Sequence, residues 1–108
     1  MHLKKIVAII RNPVLEKVEG RLVEMRVQGI SVTKVKGYGE YVNYFNTDWS
    51  VTHSRIEIFT EEARVEEIAA AIMEIANTGM EGDGIVAVLP VSKLYCIRTK
   101  SEITPEEL

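Results

Sequence analysis

Cysteine and histidine are scarce in this 108-residue chain, which has one cysteine, Cys96, and two histidines, His2 and His53. A single cysteine excludes an internal disulfide and a cysteine-rich zinc site, and it fits a reducing compartment. Neither histidine has a neighbour at the spacing of metal ligands. No dedicated metal site is therefore predicted.

Excess positive charge and long apolar runs are also missing. The 13 Lys and Arg residues against 16 Asp and Glu give a net charge of −3, so no basic surface predicts nucleic-acid binding. The apolar run near the start is too short for a membrane span, and no small-residue cleavage site follows it. We therefore expect a cytoplasmic protein without membrane insertion and with one domain over residues 1–108.

The sequence patterns predict strands alternating with helices. Apolar and β-branched runs predict strands at residues 4–11, 30–36, 54–60 and 84–91, and apolar spacings of three to four predict helices at 14–27 and 63–77. Asn12 is expected to cap the first helix, and Thr60 or Glu61 the second. We expect residues 92–99 to form a short hairpin or edge and the tail, about 101–108, to fray.

The element order strand, helix, strand, strand, helix, strand indicates an α+β, ferredoxin-like βαββαβ fold. The helices cover one sheet face, and the apolar residues of the other face predict an oligomer. Residues 40–52 show no period and are interpreted as a loop. Its aromatic residues either contact a partner or pack the loop onto the body, and both alternatives stay open: Tyr41, Tyr44, Phe45 and Trp49.

Four segments are more specific than the fold. They are KKIVAIIRNPVLEKV, GISVTKVKGYG, TGMEGDGIVAVLPV and CIRT, in this order along the chain. Together they resemble the PII family of signal-transduction proteins over nearly the whole chain outside residues 40–53. The resemblance implies a compact homotrimer with adenine-nucleotide clefts between subunits. It also implies a flexible T-loop, here about residues 40–53, that contacts a target protein.

The expected nucleotide site combines turn glycines, one cation and apolar walls. Gly82 and Gly84 allow close backbone approach to a phosphate, and Arg98 can pair with phosphate oxygens. The resemblance places the Ser31 hydroxyl at adenine, and Val86 is a further candidate wall. Each of these residues could equally be a plain turn, a solvated charge or core. The predicted binding residues are Ile9, Ser31, Gly37, Tyr38, Gly39, Glu40, Phe59, Gly82, Asp83, Gly84, Ile85 and Arg98.

Two departures from the family pattern remove positive charge from this site. Ile85 stands where the family usually has a basic residue after G-D-G, and Cys96 replaces the first of two arginines, leaving Arg98. Each lost charge-assisted hydrogen bond is worth roughly 1.5–3 kcal/mol. The outer phosphates lose most, so the site is predicted to prefer ADP or AMP to ATP, or to bind all of them weakly.

Two further departures concern the loop. Glu40-Tyr41-Val42 replace the family's magnesium-coordinating glutamine and adjacent basic residues, and His53 replaces the lysine that neutralises 2-oxoglutarate. These changes argue against a response to magnesium or 2-oxoglutarate. His53 is either a site for a smaller anion or a solvent-facing loop histidine. The loop is short and lacks the tyrosine signature, so uridylylation is not expected.

The leading hypothesis is a nucleotide-responsive regulator of a partner protein. Its target would be a transporter, for ammonium or bicarbonate, or a metabolic enzyme, and the nucleotide would act by favouring one loop state. The alternatives are a sensor of a small anion such as bicarbonate in inorganic-carbon uptake, and a ferredoxin-like trimer of the metal-tolerance type. No nucleophile–base pair is present in the sequence, so an enzyme is not expected.

Overall fold

The computed structural model describes residues 2–35 and 53–108. The chain forms four longer strands and two helices, and a small two-stranded hairpin follows them. In chain order they are β1 (Leu3–Arg11), α1 (Leu15–Glu24), β2 (Ser31–Val35), β3 (His53–Glu61), α2 (Val65–Ala76), β4 (Gly84–Val91), β5 (Tyr95–Cys96) and β6 (Ser101–Glu102). Short 3-10 turns occupy Asn12–Val14, Glu62–Arg64 and Pro105–Glu107.

The four long strands form one sheet in the order β2-β3-β1-β4, and all neighbouring strands are antiparallel. The two central strands are β1 and β3, which are also the two strands that lead into helices. This arrangement is the predicted α+β, ferredoxin-like fold, which is confirmed. Both β2 and β4 are edge strands among the described residues.

Both helices pack on the same face of the sheet. Since successive strand residues point to opposite faces, every second residue of a strand faces the helices. The helix-facing residues of β1 and β3 are almost fully buried, and they pack with apolar residues of both helices. The core consists of Ile6, Ala8, Ile10, Val18, Leu22, Ile56, Ile58, Ile68, Ile72 and Ala76. The opposite face, called the open face below, carries apolar side chains such as Ile9, Phe59, Ile85 and Leu89 that remain partly or well exposed.

The two halves of the chain repeat the same backbone path. The strand, the 3-10 turn and the start of the helix in the second half each lie 50 positions after those in the first. The residues before each helix also agree, since Val14 has φ −94° and ψ −3° and Arg64 has φ −97° and ψ −3°. The echo between the halves in the sequence therefore reflects a repeated strand–turn–helix unit.

The helix caps predicted from the sequence are wrong. Neither helix start carries a side-chain capping hydrogen bond, because each strand passes first into a 3-10 turn and only then into the helix. Asn12 lies in the first of these turns, where its Oδ1 accepts a hydrogen bond from the Ser54 hydroxyl. Asn12 therefore ties the end of β1 to β3.

Two further expectations need correction. Of the second strand, Ile30, Val32 and residues 33–35 were expected near the core; Ile30 does pack against it, but Ser31 to Lys34 are exposed because β2 is an edge strand. The tail was expected to fray, yet β6 pairs with β5 and the amide of Ile103 donates to the Leu94 carbonyl at 2.7 Å. Among the described residues, no helix has the length and apolar character that crossing a membrane requires.

Candidate functional site

A cleft of about 260 Å³ lies between the start of β4 and the last turns of α2. Its lining is mainly apolar, with Ile9, Ile72 and Val86 among the contributing residues, while Asn77 and Asp83 supply polar groups. Four predicted binding residues meet here: Ile9, Asp83, Gly84 and Ile85. The structure thus brings Asp83 and Gly84 of the G-D-G segment together with three expected apolar residues, which are Ile9, Ile85 and the further candidate wall Val86.

Gly84 is fixed in this cleft by sterics. Its φ is +110°, and a Cβ added to it would lie 1.7 Å from the backbone oxygen of Ile9. Gly82 has φ +91°, which is also a region that side chains disfavour. Consecutive turn amides in such conformations are typical of anion-binding concavities. The glycines therefore serve to bring β4 against β1 and to shape the turn before it.

Asp83 anchors the turn by accepting hydrogen bonds on both carboxylate oxygens. Oδ2 accepts from the amides of Thr78 at 2.7 Å and Gly79 at 3.1 Å, while Oδ1 accepts from the Thr78 hydroxyl at 2.5 Å and from Arg11 Nε at 3.0 Å. The carboxylate is therefore engaged within its own chain. Its main role in this structure is to hold the turn, and a direct ligand contact would compete with these bonds.

The surroundings of Asp83 change its acidity. Burial raises the pKa, but the hydrogen bonds from the Thr78 hydroxyl and amide, from Arg11 and from the Gly79 amide outweigh it and lower the pKa from 3.8 to about 2. Asp83 is therefore ionised across the physiological range and pairs with the Arg11 guanidinium throughout it.

Arg11 and His53 belong to this site although neither is among the nucleotide-binding residues predicted from the sequence. Arg11 ends β1 and His53 begins β3, and the two are directly opposed in the ladder. Arg11 Nη2 donates to the Glu81 carbonyl at 2.5 Å, and His53 Nε2 donates to the Gly82 carbonyl at 2.8 Å. The two side chains thus bind the glycine turn to the end of the sheet.

The hypothesis that His53 is a solvent-facing loop histidine is wrong, because it lies in β3 and is fully buried. The same burial gives no support to the hypothesis that it contacts a small anion. Its Nε2 is already used by the Gly82 carbonyl. Arg11, in contrast, could have been found from strand pairing. Gly84 pairs with Ile10 in the antiparallel ladder, so Asp83 comes next to Arg11, which carries the opposite charge.

Ser31 and Phe59 do not join the cleft within one chain. Ser31 opposes Glu57 on the far edge strand, and in register it is three strands from Ala87 of β4. Strands lie about 4.8 Å apart, so roughly 14 Å separates Ser31 from β4. Phe59 lies on the open face with Lys5 Nζ 5.8 Å from its ring centre, and it is not a wall of this cleft.

The hairpin predicted for residues 92–99 is present as β5 and β6, although it extends to Glu102. Arg98 is exposed and lies in the turn between the two strands, because the strand pairing ends at Cys96. The pKa of the Cys96 thiol is lowered, first by hydrogen bonding to the Thr99 side chain and backbone. The neighbouring Ile97 is 93% exposed, which is unusual for an isoleucine. The hairpin tip therefore presents a cation beside an uncovered apolar side chain.

Four predicted binding residues, Gly37, Tyr38, Gly39 and Glu40, lie outside the described residues, and so do the aromatic residues at 41, 44, 45 and 49. Among residues 2–35 and 53–108, no group of three or more His, Cys, Asp or Glu side chains could together hold a metal ion.

Comparison with known proteins identifies the family. Residues 3–101 match the family described as nitrogen regulatory protein P-II. The chain is 36% identical to the nitrogen regulatory protein P-II of Azospirillum brasilense, over 90% of this chain and 93% of that protein. It is 34% identical to the protein of the same name from Pasteurella multocida, over 93% of this chain and 96% of that protein.

A plant relative shows the same similarity over a longer protein. The chain is 32% identical to the nitrogen regulatory protein P-II homolog of Arabidopsis thaliana, over 88% of this chain but only 53% of that protein. The bacterial relatives, in contrast, are matched over nearly their full length. With its ferredoxin-like sheet and glycine turn, this chain belongs to the nitrogen regulatory protein P-II family of signalling proteins.

Proposed function

We propose that this chain is a PII-type regulator that binds ADP or AMP in preference to ATP, at clefts completed by neighbouring copies of a homotrimer. Family members act as trimeric regulators of target proteins and not as enzymes. The observation that carries the proposal is the cleft at the glycine turn, where Ile9, Asp83, Gly84 and Ile85 meet. We expect the protein to work in the cytoplasm.

The size of the cleft supports completion by a second copy. Pockets for small ligands usually measure about 300–1,000 Å³. The cleft in one chain holds about 260 Å³ and is open to solvent, which is too little to enclose a nucleotide. Ser31 lies at the opposite sheet edge and Arg98 in an exposed hairpin, so a neighbouring copy is the source from which both residues would approach the cleft.

The charges around the cleft support the nucleotide preference. Ile85 is 42% exposed and brings an apolar side chain to the place of the family's usual cation. Arg11 is near the turn, but its charge is paired with Asp83. Outer phosphates depend most on cations and charge-assisted hydrogen bonds. A site with this balance favours nucleotides with fewer phosphates, and it supports the prediction that magnesium and 2-oxoglutarate have little effect.

Titration calorimetry with ATP, ADP and AMP tests the nucleotide preference, and size-exclusion chromatography with light scattering measures the mass of the assembly. We expect a trimer and a higher affinity for ADP or AMP than for ATP. Sub-micromolar binding of ATP with much weaker AMP would refute the nucleotide preference. A monomer at the concentrations used would refute the shared cleft.

Restoring the missing cation gives a sharper test. The variant Ile85→Lys places an ammonium group at the cleft, and we expect it to strengthen ATP binding by about tenfold relative to AMP, the effect of about 1.4 kcal/mol. The control is Leu89→Lys, because Leu89 is on the same strand and face and is also 42% exposed. Equal gains for all nucleotides in both variants would indicate non-specific attraction.

The target stays open between a transporter, for ammonium or bicarbonate, and a metabolic enzyme. We propose that nucleotide acts by binding two loop states unequally, since equal binding would shift neither. A small-anion sensor for inorganic-carbon uptake loses its support from His53, which is buried. The family assignment disfavours a metal-tolerance trimer. A thermal-shift panel with nucleotides, bicarbonate, 2-oxoglutarate and divalent metals separates these alternatives, because a ligand of the native state raises the melting temperature.

A further inference from the structure

Three consecutive residues of the glycine turn are held by two side chains of the sheet. Arg11 binds the Glu81 carbonyl and the Asp83 carboxylate, while His53 binds the Gly82 carbonyl between them. Arg11 and His53 are opposed across β1 and β3, so their side chains leave the same face at the same end of the sheet. We refer to these two side chains as the Arg11–His53 clamp.

The clamp fixes the orientation of two peptide planes. The described residues contain no cis peptide bond, and in a planar trans peptide the carbonyl and the following amide point in opposite directions. With the Glu81 carbonyl directed at Arg11, the amide of Gly82 must point away from Arg11. With the Gly82 carbonyl directed at His53, the amide of Asp83 must point away from His53.

Without the clamp, the turn has freedom to lose this orientation. Gly82 has φ +91° and Gly84 has φ +110°, and glycine populates both signs of φ at little cost. The peptide planes on either side of Gly82 can therefore rotate unless their carbonyls are held. Asp83 adds a third point of attachment through Thr78 and Gly79.

We propose that Arg11 and His53 are positioning residues of the phosphate-binding turn. They act by fixing the directions of the Gly82 and Asp83 amides, so that the turn is already ordered when an anion binds at its accessible side, where Asp83 is the more exposed of the two residues. The inference rests on the proposed nucleotide function for its ligand, but its structural part concerns the turn alone. The donor groups of both clamp residues are directed at the turn itself, so they are assigned a positioning role. Preorganisation of this kind increases affinity by removing the cost of ordering the turn on binding.

Four variants separate positioning from simple loss of charge. Arg11→Gln removes the charge and the two-pronged contact, and Arg11→Lys keeps the charge without the fork. His53→Leu removes the donor to Gly82, while His53→Gln keeps an amide donor. Lys17→Gln on the exposed surface of α1 is the control for losing one positive charge.

Calorimetry with ADP, adenosine and pyrophosphate measures the effect on binding. We expect Arg11→Gln and His53→Leu to weaken ADP and pyrophosphate by about tenfold or more, a loss of about 1.4 kcal/mol, with adenosine changed by less than about twofold. His53→Gln should recover most of the ADP affinity, and Lys17→Gln should match the unmodified protein. ADP binding within about twofold of the unmodified protein in both folded clamp variants, or an equal loss for adenosine, overturns the inference.

Amide NMR spectra test the structural part without any nucleotide. The amide signals of Gly82 and Asp83 should move in Arg11→Gln and His53→Leu but not in Lys17→Gln, because the clamp holds the two peptide planes. If the unmodified protein binds neither ADP nor pyrophosphate, the proposed function fails, and the positioning inference is then decided by these signals. Unchanged signals in both clamp variants overturn it.

Discussion

Neutralising Asp83 tests how much stability the glycine turn contributes. The carboxylate accepts four hydrogen bonds, from the Thr78 hydroxyl and amide, the Gly79 amide and Arg11, and its pKa is lowered to about 2. Its side chain is 21% exposed, so solvent screens these contacts only in part. Each tenfold change in proton affinity corresponds to about 1.4 kcal/mol. The fall of the Asp83 pKa from 3.8 to about 2 on folding therefore corresponds to a stabilisation of about 2 kcal/mol by the ionised carboxylate.

The direction of the pH dependence follows from the sign of this change. Because the folded pKa lies below the unfolded one, the contribution is fully present above pH 3.8, where the unfolded carboxyl is also ionised. It is lost as the pH falls from there through about 2. The variant Asp83→Asn should therefore unfold with about 2 kcal/mol less free energy at pH 7, and its deficit should shrink as the pH approaches 2.

Urea unfolding followed by circular dichroism, at one fixed protein concentration, measures this difference. A fixed concentration is needed because association of copies adds to the apparent stability. Glu81→Gln is the matched control, since it removes an exposed carboxylate two residues away and leaves the backbone carbonyl in place. A stability of Asp83→Asn within about 0.5 kcal/mol of the unmodified protein at pH 7, or the same deficit at about pH 2.5, would show that the Asp83 carboxylate does not stabilise the turn.

Four further variants test other parts of the fold. Gly84→Ala would place a Cβ 1.7 Å from the Ile9 backbone oxygen and should lower the free energy of unfolding by more than about 3 kcal/mol. Gly20→Ala in α1, where a Cβ would have nothing within 4 Å, should raise the free energy of unfolding by about 0.5–1 kcal/mol. Urea unfolding measures both variants, and equal effects would contradict the steric account. Ile58→Ala removes a fully buried core side chain and should cost about 2–5 kcal/mol in the same assay; a loss under about 1 kcal/mol would contradict the core assignment. Ile97→Ser changes a side chain that is 93% exposed in one chain and should weaken self-association in sedimentation experiments if the hairpin contacts a neighbouring copy; unchanged association would exclude that contact.

The fold was predictable because its signals are local and repeated. Alternating apolar residues predicted the strands, and β4 has the predicted bounds of Gly84–Val91. Spacings of three to four residues predicted both helices, although each begins after a 3-10 turn that no periodicity indicates. The caps were wrong for the same reason, since a side chain near a helix start was interpreted without knowing that the strand ends in a tight turn.

The site was harder to predict because its contacts join distant parts of the chain. Arg11 and Asp83 are 72 positions apart, and His53 and Gly82 are 29 apart. The glycine turn was recognisable from its own residues, whereas the side chains that hold it depend on the register of β1 with β3 and β4. His53 was missed for a narrower reason: β3 begins one residue earlier than predicted, which moved this residue from the loop into the sheet.

The glycine turn combines a strictly determined backbone with a weakly charged surface, and this combination bears on how the protein would discriminate between ligands. Gly84 permits the close approach to Ile9, and Arg11 and Asp83 satisfy one another, so the shape of the turn does not depend on a bound anion. Because the turn is already ordered, phosphate binding carries little free-energy cost for ordering it. Discrimination between nucleotides then depends on the exposed side chains beside the turn, of which Ile85 carries no charge. Substituting Ile85 should alter which nucleotide is preferred, whereas substituting the Arg11–His53 clamp should alter the affinity for every phosphate-bearing ligand together.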